Sequence, residues 1–142
     1  MSQQADSATF TGGCHCGAVR YEVVGDTLTA ATCHCRDCQY ASGGAPAHAL
    51  LFAPQALRVV QGQAQEYTYQ GDSGNTVVRS FCPACGTPLF GHTAGQDYVI
   101  VKVGSLDDPG RFRSQMTLWA GSAPAWHHID RSVPTYEGKA AG

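Results

Sequence analysis

The chain has 142 residues, 43% hydrophobic and 14% charged, the size and apolar content of one domain with a proper core. Nine basic residues stand against eleven acidic ones for a formal net charge of -2, and no run of Lys or Arg is present to grip phosphates, so nucleic acid is excluded as a first partner. The opening MSQQADSATF lacks the charged and apolar regions of a secretory signal, and no stretch approaches the roughly 18 apolar residues of a membrane span, so a soluble cytoplasmic protein is expected.

In chain order, the first nine residues read as a flexible tail. Gly12-Gly13 and, later, Gly43-Gly44 are not phosphate loops, because no Lys-Ser or Lys-Thr follows either pair. "CHC" at 14–16, read as extended chain, turns Cys14 and Cys16 to one side and His15 to the other, which makes His15 a poor ligand for the same ion. "AVRYEVV" (18–24) follows as a strand. "CHCRDC" (33–38) packs three thiols into six positions. There His34 is expected to point away from its neighbouring cysteines, and Arg36 either anchors a substrate carboxylate or is a solvated neighbour of Asp37. A short helix or turn is expected at 36–42.

The strands "AHALLF" (47–52), "LRVVQG" (57–62), "QEYTYQ" (65–70) and "TVVRSF" (76–81) come next, the last two joined by a hairpin with Gly74-Asn75 as turn residues. His48 reads as a satisfied or partly exposed histidine on its strand. In "FCPACGTPLF" (81–90), Cys82 and Cys85 sit around a tight turn, with Pro83 fixing one dihedral and Gly86 able to go left-handed; this is a zinc-knuckle turn. Backbone N–H groups in such a turn can point at the sulfurs. "YVIVKVG" (98–104) and "MTLWAG" (116–121) complete the strands, and Asp107 and Asp108 between them read as turn chemistry. Arg20, Arg79 and Lys102 are expected on solvated strand faces, Trp119 and Trp126 in the core, and His127 and His128 in surface or packing roles. His92 carries no signal.

The seven cysteines are Cys14, Cys16, Cys33, Cys35, Cys38, Cys82 and Cys85, an odd number that suits metal binding better than a disulfide framework. The two outer pairs are enough for a closed four-thiolate structural site, and the central triad for a three-thiolate site whose fourth position is open to water or substrate. Spacing alone does not prove that the outer pairs share one ion. Ferredoxin spacings are not matched. Three thiolates and Zn²⁺ sum to one negative charge, so such a centre is a weak Lewis acid toward water but suits an incoming thiol, held as the thiolate that attacks carbonyl carbon.

The runs "GGCHCGAVRYEV" (12–23), "CHCRDC" (33–38), "SFCPACGTPLF" (80–90), "VGSLDDP" (103–109) and "APAWHHID" (123–130) resemble the glutathione-dependent formaldehyde-activating enzyme and centromere protein V family, over residues 10–137. The resemblance implies a mainly β, zinc-stabilised β-tent domain of short antiparallel strands, with 1–9 and 138–142 as tails. It also implies two Zn²⁺ per chain: a structural ion on Cys14, Cys16, Cys82 and Cys85, and a catalytic one on Cys33, Cys35 and Cys38. The implied activity is that of a carbon–sulfur lyase, joining glutathione to formaldehyde as S-hydroxymethylglutathione or cleaving that adduct. Its partners would be a small-molecule thiol and an aldehyde. Where family members often carry a basic residue after the third cysteine, this chain has Gln39 and Tyr40. The alternative is a non-catalytic zinc-stabilised binding, redox or metal-handling module.

Overall fold

The computed structural model describes residues 9–140. Its strands are β1 (Thr9–Gly13), β2 (Arg20–Val24), β3 (Thr29–Cys33), β4 (Ala47–Phe52), β5 (Leu57–Gln61), β6 (Gln65–Gln70), β7 (Thr76–Phe81), β8 (Pro88–Thr93), β9 (Val99–Lys102) and β10 (Met116–Leu118). A six-residue helix, α1 (Arg36–Ala41), follows β3. Two sheets result: three strands in the order β1-β2-β5, and seven in the order β10-β3-β4-β9-β8-β7-β6. All pairings are antiparallel except β10 with β3.

The mainly β reading and the hairpin of β6 and β7 are as expected, whereas β1, β3 and β8 were not foreseen. β1 reads TFTGG, β3 TAATC and β8 begins at Pro88, so each lacks the run of large β-branched or aromatic residues that marks a strand. β3 and β8 are interior strands of the larger sheet, where neighbours supply the hydrogen bonds and small residues suit close packing. Pro88 takes the first position of its strand, beside an irregularity in the pairing with Phe81, where its missing N–H is tolerated.

The core lies where the two sheets meet. Phe10, Tyr21 and Val23 from the smaller sheet pack with Leu50, Phe52, Leu89 and Val101 from the larger. Phe10 meets Phe52 edge to face at 5.5 Å. Burying side chains of this size contributes about 1.5–3 kcal/mol each. Tyr21 carries a polar tip into this core, and its Oη is satisfied at 2.6 Å by the buried Ser105 Oγ. That contact explains Gly12, since a Cβ there would lie 2.4 Å from both Ser105 O and Tyr21 Oη.

Two charge expectations are corrected here. Arg20 is not simply solvated and Asp107 is not turn chemistry: Arg20 Nη1 donates to Asp107 Oδ1 at 2.9 Å and Nη2 to Oδ2 at 2.5 Å, while Thr11 Oγ1 adds a third bond. The carboxylate thereby ties the loop after β9 to β1 and β2. Asp108 does serve the turn, accepting from Gly110 N at 3.1 Å. Of the expected tails, residues 1–8, 141 and 142 lie outside the described residues, Thr9 opens β1, and Gly138 O accepts from Trp119 N at 2.9 Å. Among the described residues no helix is long and apolar enough to cross a membrane.

Candidate functional site

The fold gathers the seven cysteines into two groups. Within each, the ligand atoms lie within 4.8 Å of one another: Cys14, Cys16, Cys82 and Cys85 in one, Cys33, Cys35 and Cys38 in the other. The pairing that spacing left open is therefore settled by topology.

The first group is built from two turns brought side by side. "CHC" is not extended, as the alternation argument assumed; it is the turn between β1 and β2, closed by Cys14 N donating to Val19 O at 3.0 Å and Gly17 N to Cys14 O at 3.1 Å. The difference has a steric reason. Residues two apart in a strand stand nearly 7 Å apart, too far for a shared ion, whereas the turn brings Cys14 and Cys16 sulfurs to 3.6 Å. Cys16 lies 3.7 Å from Cys82. Sulfurs about 2.3 Å from one tetrahedral centre are about 3.8 Å apart, so this donor set fits Zn²⁺.

The knuckle takes the expected form, with Gly86 left-handed at φ 81° and Gly86 N donating to Cys82 O at 2.8 Å. Backbone N–H groups do point at sulfur: Ala84 N at Cys82 Sγ (3.3 Å) and Val19 N at Cys14 Sγ (3.2 Å). Thr87 hydroxyl and backbone groups hold Cys85 down to about 5, while Cys16, whose thiolate the Ala18 N–H favours, is pushed up to about 11 by Cys14 and Cys85. Four crowded sulfurs cannot all ionise without a cation.

The triad is local. Cys33 ends β3, Cys35 caps α1 by accepting from Cys38 N at 3.3 Å, and Cys38 lies on the first turn of the helix. All three residues are partly buried. The Cys33 and Cys38 thiols stabilise a thiolate on Cys35, held down to about 2, while Cys33 is pushed up. This all-thiolate set also suits a soft, thiophilic cation such as Zn²⁺. The group contains three donors, one fewer than a closed structural site.

Gln39 fastens the triad loop. The side chain is 4% exposed, and its Nε2 donates to His34 O (2.8 Å) and Ser122 O (3.2 Å) while Oε1 accepts from Arg36 Nη1 at 2.5 Å. Arg36 also covers the Tyr40 ring at 4.7 Å. A small cavity of about 80 Å³ holds Cys38, with Asp37, Tyr69, Arg79, His92 and Lys102 in its walls. It adjoins a larger one of about 360 Å³ that shares Ala41, Arg79 and Lys102 and adds Tyr40, Tyr67 and Phe90. The Arg79 guanidinium lies over Tyr69 at 4.7 Å and Tyr67 at 5.6 Å.

Arg79, Lys102 and His92 were missed as site residues. β4, β9, β8 and β7 are neighbours in the larger sheet, so strands distant in sequence send Lys102, His92 and Arg79 to the space beside Cys38. No local signal marks this, although a lone cation in an otherwise apolar strand such as YVIVKVG is a cue. The remaining histidines sit apart. His15 is exposed and outside the four-sulfur group, and His34 is buried against His127, their Nδ1 atoms 2.8 Å apart. His48 Nδ1 lies 3.0 Å from Thr32 Oγ1. Trp126 is 72% exposed, not in the core as expected.

A crystal structure of a Rhodobacter sphaeroides protein is similar to this chain with a TM-score of 0.54 and 30% sequence identity, covering 68% of this chain and 87% of that one. The family described as glutathione-dependent formaldehyde-activating enzyme matches residues 9–122, a span that contains all seven cysteines. With its two sulfur groups assembled inside that span, the chain belongs to the glutathione-dependent formaldehyde-activating enzyme family.

Proposed function

We propose that the protein is a zinc-dependent carbon–sulfur lyase that forms or cleaves a thiol–aldehyde adduct at Cys33, Cys35 and Cys38. Glutathione with formaldehyde, giving S-hydroxymethylglutathione, is the first pair to consider, and a related thiol or aldehyde the next. The carrying observation is that three sulfurs converge and one of them, on Cys38, lines a cavity whose walls hold two cations, Arg79 and Lys102. Cys14, Cys16, Cys82 and Cys85 would hold the second, structural Zn²⁺, in a two-sheet fold read as the family's β-tent. Seven free thiols suit a reducing compartment such as the cytoplasm.

Zn²⁺, held by Cys33, Cys35 and Cys38, would supply a soft coordination position that favours the thiolate form of a visiting thiol. The protein's own groups bind and orient. Arg79, flattened on Tyr69 and Tyr67, and Lys102 across the cavity are placed to receive carboxylates of an acidic thiol such as glutathione. Arg36, stacked on Tyr40 at the mouth of the helix, is a further anchor for such a group. Gln39 keeps the triad loop in one geometry, and Tyr69, Val77 and Ile100 restrict water around Cys38. In the forward direction the sulfur bonds to the carbonyl carbon, the C=O becomes C–OH, and the proton leaving sulfur ends on that oxygen. No oxidant or reductant is required.

A panel of S-hydroxymethyl thiol adducts, assayed with zinc-loaded protein, tests this. Turnover of an acidic adduct, lost in Cys35→Ser, is the expected result. Failure of every adduct with both metal sites filled would instead identify a binding or metal-handling module.

A further inference from the structure

Two larger cavities adjoin the small one that holds Cys38. One, of about 360 Å³, carries Arg79, Tyr40 and Tyr67; the other, of about 420 Å³, carries Ala45, Pro46, Val103 and Gly104. All three share Ala41 and Lys102, and the two larger ones also share Pro88. Ala41 follows Cys38 by one turn of α1, so a single face of that helix leads from the sulfur into both. Lys102 ends β9, and the chain passes directly into the turn Val103–Ser105 that walls the second cavity. The space at Cys38 is therefore the fork of a two-armed cleft.

The arms differ in chemistry. The first offers a guanidinium backed by the rings of Tyr67 and Tyr69. Among the residues lining the second, only Lys102, at the fork, is charged, and the walls are the methyl, ring and backbone groups of Ala45, Pro46, Pro88, Val103 and Gly104. Two of its polar side chains are already engaged: Thr87 Oγ1 accepts from His15 N at 3.1 Å and lies 3.1 Å from Cys85 Sγ, and His48 Nδ1 lies 3.0 Å from Thr32 Oγ1. Such walls do not repay the desolvation of a charged group, but they gain by covering an alkyl chain.

We propose that the second arm seats an alkyl chain borne by the aldehyde carbon, so that the substrate is the adduct of an acidic thiol with an aliphatic aldehyde of several carbons in preference to formaldehyde. The inference rests on the lyase reading of the triad. With the reacting sulfur at the fork and the thiol's carboxylate drawn to Arg79, the remaining substituent of the reacting carbon has the second arm to enter. Formaldehyde has no such substituent and leaves that arm to water. In cleavage the C–S bond breaks, the hydroxyl proton passes to sulfur and C–OH becomes C=O, whatever the chain. Chain length thus changes binding and not the chemistry, and one methylene in an apolar pocket discriminates by about ten-fold or more.

S-methylglutathione and S-butylglutathione are unreactive probes that carry both substituents of the sulfur, and calorimetric titration of zinc-loaded protein reads them without turnover. The butyl compound should bind at least about ten-fold more tightly. Gly104 supplies the variant. It is exposed, its φ lies outside the left-handed region, and a Cβ there would meet no heavy atom within 4 Å. Gly104→Leu therefore adds bulk to the cavity wall with the circular dichroism spectrum kept, and should cut the butyl-to-methyl affinity ratio by about five-fold or more. In turnover, the butanal adduct of glutathione should exceed the formaldehyde adduct in kcat/KM by about ten-fold. Butyl preference in binding with no turnover of either adduct would support the subsite and overturn the lyase reading. Turnover of both adducts at equal kcat/KM, with equal probe affinities, would overturn the subsite and leave the lyase reading standing. Binding of neither probe, or a ratio unmoved in folded Gly104→Leu, would also overturn the assignment.

Discussion

The two sulfur groups use the same residue type for opposite ends. The four-sulfur group joins the turn after β1 to the turn after β7, closing a loop of roughly 70 residues, and two of its members belong to the core: Cys14 is 7% exposed and Cys82 0%. The triad spans six positions at the junction of β3 and α1, and none of its members is in the core cluster. An ion in the first would restrain the fold as a whole, whereas an ion in the second would restrain one loop. Sulfurs that join distant segments and reach the core suit stability, and a local group outside the core suits exchange.

The largest break in that contrast should come from Cys82→Ser. Zinc bound only by the folded form adds its binding free energy to folding, on the order of 10 kcal/mol for structural sites, so this variant should fail to fold or melt far below wild type. Thermal unfolding followed by circular dichroism reads it. Cys35→Ser should keep a near wild-type melting curve while adduct turnover falls by about 10²-fold or more. Equal destabilisation by the two substitutions would erase the distinction.

A sharper test looks within the cleft. Arg79→Ala and Lys102→Ala should each raise KM for a glutathione adduct by about ten-fold, equivalent to about 1.4 kcal/mol for a charge-assisted contact, and leave KM for an uncharged thiol adduct within about two-fold. Steady-state kinetics on both substrates separates anchoring from general damage.

The smallest effect belongs to Asp107→Asn. Hydrogen bonds from Arg20 and Thr11 hold the Asp107 carboxyl down to about 2. A carboxylate with a lowered pKa contributes stability above its ordinary range, and that contribution disappears as the pH falls from about 4 toward 2. Because the side chains are 35% and 46% exposed, the difference between wild type and variant at pH 7 should stay below about 1 kcal/mol. Denaturant unfolding at several pH values should show the difference constant near neutrality and shrinking only below about pH 4.

Much of the site was legible because cysteine spacing is local. The triad, the knuckle with its left-handed Gly86 and the short helix at Arg36 are all specified within a few residues, and the structure has them where expected. What escaped depends on tertiary neighbours. β3 and β8 are strands because both sides of each are paired, and their small residues hide that. Arg79, His92 and Lys102 reach the triad only through strand order. The turn at Cys14–Cys16 was mistaken for extended chain because alternation ignores the span that one ion can bridge. His34 was rightly turned from the sulfurs, yet its partner His127 lies 93 residues away, which local pattern cannot supply.

Metal content per folded chain, in freshly purified and reduced protein, tests the central division of labour most directly. The account predicts two zinc ions in wild type, one for each sulfur group, and one in Cys35→Ser with the fold intact. A single zinc in wild type, or no loss in Cys35→Ser, would contradict it.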